Sequence, residues 1–233
     1  PRLASMVAIG LGGLQPRLAA TVLLHAARKG QAVCGAVPAA RQLAHARDPL
    51  GASSVVESSE ATVHLFGPGD HHRLALSRGD HVLTVLPLDV IPTLTAGVWP
   101  VVHLDDNVRD GWWVAEHDVI DAILHLAQVP FSTGTVVMSG RRLWQASELV
   151  QEASMLHRRW SAGLDGAFSV DVLAEPQRPP VRVQTILSGE SEPDLRPLHE
   201  LLLAQRAEGW RPQMTVREAL MHHLALNEGL NRA

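Results

Sequence analysis

Short apolar runs alternate with stretches of helical spacing through the first 140 residues, the pattern of βαβ units feeding a parallel sheet. Met6–Ile9 is an apolar run halted by Gly10, Gly12 and Gly13. Leu14, Leu18, Val22 and Leu23 then recur near helical spacing, which predicts a helix over Leu14–Ala27 closed by Gly30 in C-cap style. Further strands are expected at Gln31–Val37, Thr62–Phe66, His81–Leu86, Pro100–Leu104 and Thr135–Met138. His81–Leu86 is nearly all apolar, as a strand covered on both faces should be. Between the strands, residues 39–47 read as a short helix, 48–59 as a polar loop, and Ile91–Ala96 as a brief helix closed by Gly97. Ala115–Ala127 is amphipathic through Val119, Ile120, Ile123 and Leu126.

The style changes after residue 140. Leu143–Leu164 is one long helical pattern, followed by expected strands at Phe168–Leu173 and Val181–Ile186 with Pro176, Pro179 and Pro180 between them. Two helices finish the chain, near 194–208 and 215–228, the second with Thr215 and Glu218 at capping-box spacing. The expected fold is therefore α/β, a Rossmann-like and mostly parallel sheet with helices on both faces, plus a C-terminal α+β extension. The expected division is 1–150 and 151–233.

Composition narrows the class. A chain of 233 residues that is 46% hydrophobic and 19% charged is ordinary for a folded domain with a sizeable core. The net charge of −4 supplies no basic field for nucleic acid, and Lys29 is the only lysine. One cysteine, Cys34, excludes an internal disulfide framework and fits a reducing compartment. No apolar run approaches the roughly 20 residues that span a bilayer, and the opening Pro-Arg-Leu-Ala-Ser-Met lacks a signal-peptide pattern, so a cytoplasmic location is expected. No nucleic-acid or membrane partner is expected, a small-molecule substrate is, and oligomerisation is left open.

Two segments offer chemistry. Gly10-Leu11-Gly12-Gly13-Leu14-Gln15 falls between a strand and a helix, where glycines let backbone approach a ligand and the helix N-terminus favours an anion. It lacks the Gly-Lys-Ser/Thr of a P-loop, and Gln15 replaces the third glycine of a dinucleotide fingerprint, so a tight βα turn accounts for it equally well. His103-Leu104-Asp105-Asp106-Asn107 closes the expected fifth strand, at the edge where open α/β sheets bind ligands. His103 there is a candidate acid, base or metal ligand with acceptors beside it; the plainer reading is a polar loop whose aspartates make turns. His71, His72, His222 and His223 have no metal spacing and read as solvated. Cys34 reads as packing, and Trp99, Trp112 and Trp113 either line a pocket near His103 or close the core beneath it.

The order of segments resembles the formyltransferase fold of glycinamide ribonucleotide, methionyl-tRNA and sugar N-formyltransferases. Gly10–Gln15 is similar to the phosphate loop of the purine enzyme, one residue shorter. Asp80–Leu86 with Ile91-Pro92 resembles the strand and turn beside the folate pocket. Val101-Val102-His103 stands at the family's Asn-x-His, Gly111 at the glycine ending the following loop, and Thr133–Met138 at its Thr-Gly-x-Thr-Val-His strand. The likeness spans about residues 5–151.

The resemblance implies transfer of a one-carbon (formyl) or acyl group to an amine of a small molecule, with 10-formyltetrahydrofolate as donor. It implies His103 as general base aided by Asp106 or Asn107, anion binding at Gly10, Gly12 and Gly13, a folate slot at Leu86, Leu88 and Ile91, and no metal. Val101 replaces the asparagine that polarises the formyl oxygen, and no acid lies in Trp144–Ser147, where the family carries its aspartate. Those departures motivate an alternative, a non-catalytic relative binding a ligand or partner. A further alternative is a nicotinamide-dependent oxidoreductase using Gly10–Gly13, although Val37-Pro38 stands where a ribose-binding acid belongs.

Overall fold

The structure, a computed structural model, describes residues 7–67, 73–93, 110–164, 191–203 and 208–231, together with 166, 169 and 170. Seven strands form one sheet: β1 (Ala8–Gly13), β2 (Ala32–Cys34), β3 (Val56–Glu57), β4 (Val63–Phe66), β5 (Leu74–Arg78), β6 (His81–Pro87) and, later in the chain, β9 (Gly134–Met138). Their spatial order is β3-β2-β1-β4-β5-β6-β9. All neighbours pair parallel except around β5, which is antiparallel to β4 and β6. A short parallel pair, β7 (Val90–Ile91) and β8 (Val114–Ala115), stands apart from it. The helices are α1 (Pro16–Arg28), α2 (Pro38–Arg47), α3 (Pro49–Ser53), α4 (Glu116–Leu126), α5 (Ala146–Leu164), α6 (Arg196–Leu203) and α7 (Val216–Asn231). The fold is thus a mostly parallel α/β sheet flanked by helices, consistent with a Rossmann-like fold.

Register and burial explain the layering. Because strand side chains alternate, Ile9, Val33, Val63, Leu65, Leu74, Leu76, Leu83, Val85, Val136 and Met138 share one face, and all are buried. That face joins one apolar cluster with α1, α4 and α6 through Leu18, Val22, Val119, Ile123, Leu198 and Leu202, with Trp210 added from the loop before α7. A second cluster links β7 and β8 to α5 and α7 through Ile91, Ala115, Leu149, Leu156, Leu220 and Leu224. The opposite sheet face presents His64, Phe66, Val82 and Thr84, of which His64, Phe66 and Val82 are exposed.

Local chemistry sets the helix ends. α1 opens on Pro16 at its first turn and closes on Gly30 at φ +63°. Gln31 N–H donates to Ala26 O at 2.9 Å and Gly30 N–H to Ala27 O at 3.0 Å, the paired bonds of a Schellman motif. At α7 the expected capping box forms: Thr215 N–H donates to Glu218 Oε2 at 2.8 Å and Glu218 N–H to Thr215 Oγ1 at 3.2 Å.

Several expected boundaries move. β1 runs on through Gly13 and α1 begins at Pro16, so the turn shrinks to Leu14-Gln15. β2 is shorter than Gln31–Val37. The polar loop at 48–59 holds α3, capped by Asp48, and the edge strand β3. Ile91 belongs to a strand rather than a helix, because β7 pairs with β8. β5 was not expected at all. It turns back into β6 through Gly79 at φ +55°, a conformation glycine adopts without strain. Most of the expected strand Phe168–Leu173, and all of Pro100–Leu104 and Val181–Ile186, lie outside the described residues.

Candidate functional site

Strands β1, β4, β6 and β9 run in one direction, so Gly13, Phe66, Pro87 and Met138 end on one edge of the sheet. From β1 the chain proceeds to β2 and β3 on one side, then crosses back to β4 on the other. The β1/β4 junction is therefore the topological switch point, where open α/β sheets form a ligand crevice outside the carboxyl ends. A cavity of about 270 Å³ occurs there, lined by Gly13, Phe66, Gly67, Arg73, Leu74 and Ala75. Two strand spacings of roughly 4.8 Å separate β4 from β6, so the crevice and the β6 end lie roughly 10 Å apart across the sheet.

The glycine cluster has a packing cause that the sequence does not display. A Cβ on Gly10 would come within 2.6 Å of His64 Nδ1, and one on Gly13 within 2.4 Å of Phe66 Cδ1. Rings from β4 lie across β1 where side chains are missing, stacked at 6.1 Å between centroids. Gly12 is different: its nearest neighbour would be Gly35 O at 3.7 Å, and it is exposed. Of the three expected anion-binding glycines, Gly13 lines the cavity, Gly12 stands open beside it, and Gly10 is closed over by His64.

The β6 and β9 ends support a scaffold. Leu88 N–H donates to Met138 O at 2.8 Å. Asp89 follows in the left-handed region at φ +48°, and its Oδ2 accepts from Trp112 N–H at 2.8 Å. Asp tolerates that conformation better than most residues, and the bond to Trp112 offsets the strain. A Cβ on Gly111 would fall 2.7 Å from the same Oδ2, so glycine is required for this contact. Gly111 also exchanges two backbone bonds with Trp144, at 3.0 and 2.9 Å, and Gly140 N–H donates to Trp112 O at 2.9 Å. Asp110 Oδ1 accepts from Ala146 N–H at 2.8 Å and so caps α5 from another part of the chain. On the other side, Thr93 N–H donates to Glu116 Oε2 at 3.0 Å, and His117 N–H to Thr93 Oγ1 at 3.0 Å.

These bonds hold Thr93 and Asp110, the two residues that flank 94–109. His103, Asp106, Asn107, Val101 and Trp99 fall in that interval and lie outside the described residues, as do His71 and His72. Leu86 and Leu88 are half-buried near the carboxyl edge, whereas Ile91 is wholly buried in the second cluster and serves packing. Trp112 is buried, which favours core closure over pocket lining for that residue. His222 is exposed as expected. His223 is not: it is buried, with Nδ1 at 2.8 Å from Pro92 O, pinning α7 to the residue after β7.

Buried charge beside the scaffold is structural. Glu116 is fully buried at the start of α4, and Asp118 accepts from Gln213 and Met214 N–H at 3.0 and 3.1 Å. Burial pushes the Asp118 carboxyl above its usual range, against the two backbone donors that favour its charge. Burial likewise lowers the Arg47 guanidinium, opposed by Glu116. Among the described residues no group of three or more His, Cys, Asp or Glu is placed to hold a metal ion, and no helix is long and apolar enough to cross a membrane. Comparison with protein-family models, curated proteins and solved structures finds no match to this chain.

Sequence reasoning missed Arg73, Phe66 and Asp89. The apolar alternation across Leu74–Leu86, broken by Arg78-Gly79-Asp80, was the available signal for the hairpin that carries Arg73 to the switch point.

Proposed function

We propose that this chain transfers a one-carbon (formyl) or acyl group to an amine of a small molecule, at the carboxyl edge of its sheet. The observation that supports a ligand site there is the crevice at the β1/β4 reversal, beside the scaffold at the ends of β6 and β9. The reaction itself rests on the resemblance described above. With 10-formyltetrahydrofolate bound, His103, aided by Asp106 or Asn107, would accept the proton of the attacking amine and return it to the folate nitrogen as the bond from that nitrogen to the formyl carbon breaks, releasing the formylated amine and tetrahydrofolate.

Calorimetric titration with a 10-formyltetrahydrofolate analogue tests the donor. Saturable binding is expected, and no heat at millimolar analogue with folded protein would overturn the reading. His103→Asn is expected to lower transfer by roughly 100-fold or more with little change in melting temperature, the scale of a general base. A second reading is a relative that binds without turnover, favoured by Val101 and by the lack of a carboxylate side chain in Trp144–Ser147. Analogue binding with no transfer to any amine would select it.

A further inference from the structure

We propose that the crevice between the ends of β1 and β4 binds the anionic group of a small planar ligand, with Arg73 as its charged partner and Phe66 as its stacking surface. Three observations meet at this place, and a fourth stands next to it in the chain. The cavity of about 270 Å³ suits one ring bearing one anionic group and is too small for a dinucleotide. Phe66 lies over Gly13 because no Cβ stands there, and the residue is 44% exposed, so part of its surface is open to a ligand.

Arg73 is exposed, lines the cavity and has no carboxylate partner among the described residues. An exposed guanidinium beside an aromatic ring and apolar walls, with no acid among the described lining residues, is suited to pair with an anion from outside. The fourth observation is the start of α1, three residues past Gly13. Gln15 makes no side-chain cap and the first turn holds no acid, so its positive end is unneutralised by its own residues. The site stands whether or not a formyl group is moved, and it fits the free phosphate or carboxylate end of a substrate.

Phenyl phosphate and benzoate, titrated separately into the full chain by calorimetry, are the probes, with benzyl alcohol as the neutral control. Saturable one-site binding of at least one anion is expected, and none of the alcohol; the tighter anion tells phosphate from carboxylate. Arg73→Gln is expected to weaken binding by roughly 10-fold or more, the scale of one charge-assisted hydrogen bond. Phe66→Ala is expected to weaken it several-fold, and Arg211→Gln, an exposed arginine elsewhere, not at all. Gly13→Ala should weaken it by a factor similar to that of Phe66→Ala, since the added Cβ displaces the Phe66 ring. Absence of saturable binding for both anions, or unchanged binding in Arg73→Gln, overturns the proposal. No folate enters these titrations, so their failure is separate from failure of the transfer reading.

Discussion

His25 offers a direct test of how burial governs this fold. It lies on α1, 4% exposed, with its ring edge-on to that of His117 on α4 at 4.6 Å between centroids. Its Nε2 is buried without a hydrogen-bond partner. Burial first, then the neighbouring His117 and Arg28, lower its pKa from 6.5 to about 4, with Asp121 opposing and Lys29 adding a little. The folded pKa lies below the unfolded one, so the unfolded chain takes up the proton first. Stability is therefore intact above about pH 6.5 and is lost as pH falls from there toward 4. The full shift corresponds to about 3 kcal/mol, at about 1.4 kcal/mol for each unit, and about 2 kcal/mol of it is lost by pH 4.5.

His25→Leu keeps a side chain of similar bulk and removes both the proton site and the unpaired Nε2. Near pH 7 the variant should lie within about 1 kcal/mol of the parent, since the lost ring contact and the relieved polar atom offset each other. Near pH 4.5 it should have gained about 2 kcal/mol relative to the parent. Urea unfolding followed by tryptophan fluorescence at the two pH values measures this difference, and other acid-labile groups cancel in the comparison. Parallel stability loss in parent and variant between the two pH values would refute the reasoning.

Two further substitutions, with a third as control, probe the joints beneath the site. Trp210 is buried in the main cluster and its Nε1–H donates to Ser139 O at 3.0 Å, so Trp210→Ala should cost about 3–5 kcal/mol in urea unfolding; a loss below about 1 kcal/mol would mean the ring is not part of the core. A Cβ on Gly140 would fall 2.2 Å from Trp113 O, a backbone atom that cannot swing aside, so Gly140→Ala should cost about 3 kcal/mol. Gly134→Ala, where a Cβ meets nothing within 4 Å, should be near neutral, and equal melting shifts for the two would contradict that geometry.

The candidate site was legible only in part. Gly13 was found by its place between strand and helix, and the carboxyl edge by the alternation of elements, because both are local patterns. Arg73 was not, since an arginine beside two histidines reads as loop until Leu74–Arg78 is recognised as a strand. His223 read as solvated because its partner, Pro92 O, is 131 positions away in the chain. The cause of Gly10 and Gly13 was hidden for the same reason: His64 and Phe66 reach them only across the β1/β4 pairing.

What the amino-acid order determined by itself is everything governed by neighbours a few residues apart. Periodicity marked α1, α4 and α5, Gly30 specified the Schellman close, and Thr215 with Glu218 specified the capping box. Those features depend on backbone bonds within one turn, so they need no knowledge of the rest of the chain. Tertiary structure alone decided the strand order, the reversal of β5, the left-handed Asp89 under Trp112 and the burial of His25, Glu116 and His223. Each of these is set by contacts between distant segments. Their free energy comes from the apolar surface that the whole sheet and its helices remove from water together, and no local window contains that sum.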